Sequence, residues 1–591
     1  MNSPKKENLL NLSMDVTPQE RAKSEELEVG FDAQQNTWEV IVKYQGSLDE
    51  VRRMGGVVEE LLGGYAILTL PAGVVDAVAG MEQIEYMEKP KRLYFELAEP
   101  LSASCILPVT LREPFLTGRG VLLAVLDTGI DYRSSAFRRA DGQTRILALW
   151  DQSIVAGEEN GFRPPEGFAE GSEFTEAQIN EALNAGEEWF RFLPSVDVSG
   201  HGTAVTSIAA GYSASLGFTG VAPECNLLIV KLGSGRAGSF PKTTQLMRGI
   251  VWCLQKAREM QMPLCINLSF GNTYGPHDGT SLLERFLDNA AEVGRTAVCV
   301  GSGNEGSSAG HVSGVSVQNR TQREVLSVGP YQGSLSLQIW LSSVDRYRIV
   351  IRSPGGDSYQ IETNSTIGNT VTANLEQTRL LTYIGTPSPY SVNQEIFVEM
   401  IPANDGAYIN SGDWTIELTG TDIRSGEYHM YLPSEEARGA ETFFLRPMVE
   451  RTITIPSTAG KVISVAAYNH VTDSYADFSG RGYYYINQGT ALSNYGNVKP
   501  DLAAPGVGIR TLGPDSQFVT VSGTSFATPF VSGASVLMME QGIVRGVDPY
   551  CYGEKLKAYL RAGARPIRGE SVYPNDRVGW GALCLRDSLP K

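Results

Sequence analysis

The sequence predicts an α/β fold in which a parallel sheet carries helices on both faces. A small α+β module precedes this core, and an antiparallel β-sandwich is inserted into it. Apolar strands alternate with helical stretches from about residue 119, which is the pattern of a parallel sheet covered on both sides. Predicted strands and helices also precede this region, and residues 315–452 contain short strands in which apolar and polar residues alternate.

The front module follows a polar leader of roughly 35 residues. Its predicted segments are, in chain order, the strand 37–44, the helix 47–55, two strands within 57–71, the helix 72–81 and the strand 84–89. Ser47 before a first turn that contains Asp49 and Glu50 is the expected start of a helix. The pair Gly63-Gly64 predicts a turn between two strands. The order β-α-β-β-α-β is that of a ferredoxin-like unit.

Several core strands end in polar residues. "GVLLAVLDTG" leads to Asp127, "MPLCINLSFG" to Asn267 and Ser269, and "RTAVCVGSGNEG" to Asn304. In parallel sheets, functional groups collect beyond the carboxyl ends of the strands. We therefore expect these side chains to lie along one edge of the sheet.

Two insertions interrupt the core. The smaller covers about 151–192 and includes a helical stretch, while the larger has the turn-rich strand pattern of a sandwich and is predicted to be a jelly roll. The α/β pattern resumes after it at "KVISVAAYN". The predicted domains are a front module 1–96 with a leader 1–35, a first core part 97–314, the sandwich 315–452 and a second core part 453–591.

The composition is typical of a soluble globular protein. The chain has 591 residues, of which 42% are hydrophobic and 19% charged, and a formal net charge of −17. This acidity argues against nucleic acid or an anionic membrane as the main partner. No apolar run of about 20 residues occurs, and no apolar segment follows Lys5 and Lys6 as in a signal peptide. We expect an intracellular protein, cytoplasmic or spore-associated.

The seven cysteines are scattered and contain no C-x-x-C pair. In a long chain this pattern favours buried or free thiols over a disulfide framework or a zinc site. We expect no cofactor.

Four residues that are flanked by residues with small side chains are candidates for catalysis. Each of them also has a structural interpretation when it is considered alone. Asp127 in "LDTGID" also fits an aspartic protease, although no second D-[ST]-G motif ends a strand. His201 in "GHGTAV" fits a structural histidine, Asn304 in "GNEG" a turn, and Ser525 in "SGTSFATP" a helix cap. Their chain order, however, contains the Asp…His…Ser order of subtilisin.

The motifs as a set resemble the subtilase family of serine proteases. They are "VLDTGID", "GHGTAV", "GVAPECNLLIVK", "INLSFG", "GNEG", "VISVAA", "DFSGRG", "KPDLAAPG" and "SGTSFATP". The resemblance covers about 119–310 and 455–590. It implies a serine endopeptidase acting on an extended peptide that docks by β-augmentation.

The resemblance also implies a role for each candidate. Ser525 would be the nucleophile, His201 the general base and Asp127 the residue that orients the imidazole. Asn304 and the backbone N–H of Ser525 would form the oxyanion hole. The implied substrate-binding residues lie on an edge strand and on a wall of the S1 pocket: Ser269, Phe270, Gly271, Val300, Gly301 and Ser302.

The sequence departs from the family pattern at three points. Both insertions lengthen the spacing between the catalytic motifs, at loop positions where scaffolds tolerate them. Phe526 stands where the family usually has Met, which changes packing behind the nucleophile. Ala136 and Ala214 stand at positions of the strong calcium site of secreted subtilisins, and Ca²⁺ needs six to eight oxygen ligands. We expect that metal site to be absent.

The front module resembles the subtilase propeptide, an intramolecular chaperone and inhibitor. Counting on from its last strand predicts the self-cleaved bond within "YFELAE", at Glu96–Leu97. A propeptide, no visible signal and a sandwich between the Asn and Ser motifs resemble the clostridial Csp germination proteases. In that group the propeptide stays bound in the active site, and the substrate is the zymogen of a spore cortex hydrolase.

The partners expected from this resemblance are a protein substrate and the chain's own propeptide, on a monomeric enzyme. Two alternatives stay open at this point. The chain could be a general intracellular subtilase, or a propeptide-occluded pseudoprotease that serves in signalling or binding.

Overall fold

The computed structural model of the protein describes residues 4–21, 24–91, 94–95, 101–157, 159–233, 241–364, 367–482 and 498–590. The chain divides into two compact units. The first comprises residues 1–92, 272–282 and 307–449, and the second comprises residues 93–271, 283–306 and 450–591.

The front of the first unit is an antiparallel sheet with two helices. Its strands are Phe31–Asp32, Thr37–Tyr44, Val57–Glu60, Tyr65–Pro71 and Ile84–Glu88, and its helices are Asp49–Arg53 and Val75–Ala79. The strand Thr37–Tyr44 pairs with Tyr65–Pro71 on one side and with Ile84–Glu88 on the other. This confirms the predicted order of elements. Ser47 is not the N-cap, because the helix begins at Asp49, whose N–H donates to Ser47 Oγ at 3.1 Å.

The leader is helical and packed on both sides. Its helices are Asn8–Asp15, Pro18–Arg21 and Glu25–Glu28. Leu10 enters the core of the front sheet. Leu9 and Leu12 instead pack with sandwich residues that include Tyr383 and Phe397. The leader therefore joins the front module to the sandwich.

The sandwich consists of two antiparallel sheets. One contains His311–Val315, Leu335–Ser342, Thr370–Leu375, Thr378–Ile384, Asn393–Pro402 and Glu427–Tyr431. The other contains Thr321–Val328, Arg346–Arg352, Ser358–Glu362, Gly412–Asp422 and Phe443–Phe444, and a short helix Glu435–Arg438 lies between its last two strands in the chain. Alternate residues such as Ile339, Trp414 and Ile416 form the core. The predicted sandwich is confirmed, and its jelly-roll connectivity stays a prediction.

The second unit is built on a nine-stranded, mostly parallel sheet. Its strands are Leu122–Asp127, Ile146–Asp151, Ser172–Thr175, Asn226–Lys231, Leu264–Leu268, Thr296–Gly301, Ile463–Asn469, Ser474–Tyr475 and Leu502–Pro505. Its helices are Leu107–Thr110, Glu176–Asn184, Trp189–Phe192, His201–Ala210, Thr243–Met260, Leu282–Ala291, Thr524–Met539, Gly553–Gly563 and Leu585–Ser588. Leu282, the first residue of the helix Leu282–Ala291, is still part of the first unit. Three pairs of short antiparallel strands complete it: Tyr212–Ser213 with Phe218–Thr219, Phe270–Gly271 with Tyr94–Phe95, and Ile509–Leu512 with Phe518–Val521.

Helices cover both faces of this sheet, as predicted. Val125 packs into the core shared with the helices that begin at His201 and Thr524. Leu126 points the other way, where a Cβ added to Gly249 of another helix would lie 2.8 Å from it. The side chains of successive residues in one strand thus pack against helices on opposite faces of the sheet.

The expectation that the cysteines are buried or free thiols is wrong for two of the seven. Cys105 and Cys584 are bonded across 479 residues of sequence, while the other five cysteines are free and buried. Their spacing could not reveal this pair, because the fold alone brings the segment after residue 100 to the C-terminal helix. None of the described helices is long and apolar enough to cross a membrane.

Candidate active site

Asp127 and His201 form a buried hydrogen-bonded pair. Asp127 ends a central strand and His201 begins a helix, and their Oδ1 and Nδ1 atoms lie 2.6 Å apart. An ionised carboxylate can only accept, so His201 Nδ1 carries the hydrogen and donates it. In the neutral imidazole this leaves Nε2 as the proton acceptor. The pair therefore holds a base in one defined tautomer.

Side chains outside the helix bind the first turn that carries His201. The N–H of His201 donates to Ser199 Oγ at 3.2 Å, and that of Gly202 to Thr128 Oγ1 at 2.9 Å. The N–H of Thr203 donates to Asp197 Oδ2 at 2.8 Å. These groups lack intrahelical partners. Asp197 was missed from the sequence, although a carboxylate just before a helix start is a capping signal.

Gly202 allows the helix to approach the end of the Asp127 strand. A Cβ at this position would lie 2.2 Å from the carbonyl oxygen of Gly129 and 3.1 Å from Asp127 Cβ. Only glycine permits this approach without moving the backbone. The small residue after His201 is therefore a requirement of the pair's geometry.

Ser525 lies in the first turn of the helix Thr524–Met539 and exchanges hydrogen bonds with Ser269. Ser525 Oγ donates to the Ser269 carbonyl at 2.8 Å, and Ser269 Oγ donates to the Ser525 carbonyl at 2.7 Å. The residue four positions after Ser525 is Pro529, which has no N–H to donate to that carbonyl. Ser269 thus satisfies a buried acceptor that the helix itself cannot.

A buried relay supports Ser269 from behind. Asn267 Nδ2 donates to Ser269 Oγ at 2.8 Å, and Ser532 Oγ donates to Asn267 Oδ1 at 2.8 Å. All three side chains are fully buried. Asn267, expected at the strand end, therefore positions a neighbour of Ser525.

Asn304 caps the helix that carries Ser525. Its Oδ1 accepts the backbone N–H of Thr524 at 3.1 Å, and the Gly303 N–H donates to Thr524 Oγ1 at 3.1 Å. Since the amide oxygen faces Thr524, the two N–H groups of Asn304 face away from it. These N–H groups are the donors that an oxyanion needs.

The predicted edge strand holds a two-residue strand of the same chain. Phe270–Gly271 pairs antiparallel with Tyr94–Phe95, with Phe270 opposite Phe95 and Gly271 opposite Tyr94. The predicted scissile residues Glu96 and Leu97 lie outside the described residues.

The predicted wall of the S1 pocket lies at the end of the strand Thr296–Gly301. Val300 and Ser302 are fully buried. A Cβ on Gly301 would lie 3.0 Å from Thr528 Oγ1, on the helix of Ser525. The wall and the Ser525 helix are therefore in direct contact.

Thr454 is a further residue of this region that sequence reasoning missed. A Cβ on Gly271 or on Gly303 would lie 2.4 Å from Thr454 Oγ1, and the Thr454 N–H donates to the Ser302 carbonyl at 3.0 Å. Thr454 therefore closes the space between the edge strand and the predicted wall. No signal in the sequence marked Thr454, because it follows the sandwich and is far in sequence from both the edge strand and the predicted wall.

Phe526 packs against the catalytic candidate His201. Their ring centroids are 5.0 Å apart and the ring planes are inclined by 50°. The aromatic residue after the serine thus supports the imidazole. Among the residues described, no three His, Cys, Asp or Glu side chains are grouped so that they could hold a metal ion.

A buried carboxylate–imidazole pair and a serine at a helix start are features of serine peptidases. Residues 118–386 and 446–581 match the subtilase family. This is more than half of the chain, and the chain therefore belongs to the subtilase family. Residues 4–91 match the Csp protease B prodomain.

Among solved structures, the CspB protease of Clostridium perfringens is similar in both sequence and fold. The two chains are 34% identical with a TM-score of 0.73, and the match covers 82% of this chain and 96% of that chain.

Curated relatives are more distant. The minor extracellular protease Vpr of Bacillus subtilis is 23% identical over 491 residues, which cover 80% of this chain and 52% of Vpr. The serine protease AprX of the same organism is 32% identical over 160 residues, which cover 24% of this chain and 32% of AprX. The chain thus spans about a third to a half of the length of these relatives.

Proposed function

We propose that the protein is a serine endopeptidase that cleaves its own chain between Glu96 and Leu97. The observation that carries the proposal is the antiparallel pairing of Tyr94–Phe95 with the edge strand Phe270–Gly271. In one common mode of peptide recognition, an extended peptide adds to a sheet edge as another strand. The chain's own segment thus takes the position expected of a substrate backbone.

The register of this pair supports the choice of bond. Phe95 lies opposite Phe270, so the next position of a bound peptide falls opposite Ser269. The Ser269 carbonyl accepts the hydroxyl hydrogen of Ser525 at 2.8 Å. In a substrate bound in this register, the residue after the one opposite Phe270 would reach the nucleophile, which supports a bond after position 96.

The chemistry that we propose uses Ser525, His201, Asp127 and Asn304 in the roles of a serine protease triad and oxyanion hole. Ser525 Oγ first turns from the Ser269 carbonyl towards the imidazole, passes its proton to His201 Nε2 and attacks the scissile carbonyl carbon. Asp127 stabilises the imidazolium, and N–H groups of Asn304 and Ser525 bind the oxyanion. His201 then protonates the leaving amine, and water hydrolyses the acyl-enzyme.

A protein zymogen is the second substrate that we propose. The similarity to the Csp proteases supports limited proteolysis of a spore cortex hydrolase precursor by a monomeric, spore-associated enzyme. The fold tolerates such a role because the insertions lie outside the strands that carry the catalytic residues.

A propeptide-occluded binding protein is a second candidate, which the same strand pair favours. If Tyr94–Phe95 stays on the edge strand after cleavage, no other peptide can add to that edge. The triad would then act once.

Mass spectrometry of the purified protein beside its Ser525→Ala variant tests both candidates. We expect the unaltered protein to be cut after residue 96 and the variant to stay whole. Equal cutting of both, or none in either, contradicts self-cleavage. Labelling of the cleaved protein by a fluorophosphonate indicates an open site, whereas cleavage without labelling indicates the occluded state.

A further inference from the structure

The first unit contains a cavity that the proposed protease chemistry does not use. It has a volume of about 60 Å³ and lies between the leader, the end of the front sheet and the sandwich. This volume is below that of drug-sized sites, so the cavity suits only a small group. The side chains that matter here are Glu7, Glu88, Lys91, Trp340, Tyr390 and Glu395.

Glu395 is the unusual member of this lining. It is only 8% exposed, and its Oε2 accepts one hydrogen bond, from Asn8 Nδ2 at 3.0 Å. Within the described part of the chain, Oε1 accepts no hydrogen bond and no cation lies within ion-pair distance of this carboxylate, on which Lys91 acts only from farther away. A buried carboxylate normally has a cationic or strongly donating partner. The cavity therefore contains an acceptor without a donor.

The one lysine of the lining is already committed elsewhere. Lys91 Nζ lies 2.8 Å from Glu7 Oε1 and also contacts Glu88 Oε1. When all carboxyl groups are ionised, three negative side chains face one positive side chain. Because Lys91 pairs with Glu7 and Glu88, Glu395 is the one of these three carboxyl groups without an ion-pair partner among the described residues.

Aromatic rings form part of the wall around Glu395. Trp340 is its direct cross-strand partner, so the two side chains stand on the same face of the sheet. Tyr390 lies edge to face with Tyr86, with ring centroids 5.9 Å apart. Aromatic faces attract organic cations and pack against apolar stems.

We propose that this cavity binds a small organic cation, an ammonium or guanidinium group on a short apolar stem. Its charged head donates to Glu395 Oε1 and its stem lies against Trp340 and Tyr390. A hard metal ion fits less well, because Ca²⁺ takes six to eight oxygen ligands and no three His, Cys, Asp or Glu side chains of the described residues are grouped so that they could hold a metal ion. The ligand contacts the leader, the front sheet and the sandwich together, so its binding stabilises the first unit.

A pH dependence follows from the same carboxyl group. Burial, reinforced by the negative charge of Glu7, raises the pKa of Glu395 to about 8. The cation and a proton therefore compete for this group, and affinity rises about tenfold per pH unit below 8 and then levels off. The other ionisable groups on the described elements around it are Glu7, Glu85, Tyr86, Glu88, Lys91, Tyr274, Asp278 and Tyr390.

Thermal denaturation of the full chain tests the proposal with n-butylammonium and n-butylguanidinium as probes. Neutral 1-butanol, with the same stem, is the control ligand. We expect a saturable rise of the melting temperature with at least one cation, half-maximal at a tenfold lower concentration at pH 7 than at pH 6. Glu395→Gln abolishes the rise, whereas Glu417→Gln, on the same sandwich, preserves it.

Three results overturn the proposal: no saturable rise with either cation, the same rise with 1-butanol, or the same rise in Glu395→Gln. The pH series on the unaltered protein is independent of any variant. A cation affinity that does not change between pH 6 and pH 8 contradicts the assigned role of Glu395 even if the Gln variant does not fold.

Discussion

Ser269 and Ser525 are joined by two hydrogen bonds that run in opposite directions. The hydroxyl of each donates to the carbonyl of the other, at 2.7 and 2.8 Å. One bond holds the proposed nucleophile in place, and the other compensates for Pro529 in the helix that carries it. The proline and the serine on the neighbouring strand are thus parts of one arrangement.

Ser269→Ala should destabilise the protein by about 1–3 kcal/mol, because it leaves the buried Ser525 carbonyl without a donor. Pro529→Ala offers a test of this cause, since alanine restores the backbone N–H. In the Pro529→Ala background, Ser269→Ala should therefore cost less. Urea denaturation of the four proteins gives the comparison, and an equal cost in both backgrounds contradicts the explanation.

Replacing Asn304 should slow self-cleavage about 10²–10³-fold, the usual effect of removing one oxyanion donor. Asn304→Ala removes the donor and also the acceptor for the Thr524 N–H. Asn304→Asp keeps that acceptor and loses the donor, so it should be at least as slow as Asn304→Ala. Time courses of the cleaved fraction measure both. If Asn304→Asp cleaves at the rate of the unaltered protein, Asn304 serves only as a helix cap.

Local patterns in the sequence predicted most of the fold. The strand Thr37–Tyr44 has the predicted bounds, since alternation along one strand depends on its own residues. The small residues beside Asp127 and His201 were equally visible in the sequence. They are required because the helix of His201 closely approaches the end of the Asp127 strand. The packing of Leu9 and Leu12 on the sandwich was not predicted, because it depends on which surface lies opposite the leader.

Residues whose role depends on distant partners could not be found in the sequence. Thr454 touches Gly271 and Gly303 only after the chain returns from the sandwich. Cys105 and Cys584 lie near opposite ends of the second unit's sequence and are brought together only by the fold. Asp197 is the intermediate case, because a carboxylate just before a helix start is a local signal that was available.

Thr454→Ala should broaden the preference for the residue before the cleaved bond towards larger side chains. The substitution removes atoms that fill the space between Gly271 and Gly303. A peptide library digested by the unaltered protein and the variant, with cleaved termini identified by mass spectrometry, measures the preference. Thr454→Ser keeps the hydroxyl and is the matched control. Identical profiles for all three proteins would show that Thr454 does not limit the pocket.

Alkylation of the denatured protein should label five cysteines without reduction and all seven after it, because Cys105 and Cys584 are paired. Cys105→Ser should lower stability by about 2–4 kcal/mol in calorimetry under oxidising conditions, since the bond restricts the unfolded chain. A reductant should remove the difference between the two proteins. Labelling of seven cysteines without reduction contradicts the pairing.

Glu395 should make the stability of the protein fall as the pH rises towards 8. Burial raises the pKa of this carboxyl from 4.5 to about 8, so the folded state binds the proton more tightly than the unfolded state. The resulting cost is absent below about pH 4.5, grows with pH and is complete above about pH 8. Glu395→Gln mimics the protonated form, and its stability relative to the unaltered protein should increase over the same interval and then stay constant. Urea denaturation of both proteins from pH 5 to pH 9 measures the difference, and parallel curves mean that Glu395 titrates at its ordinary pKa.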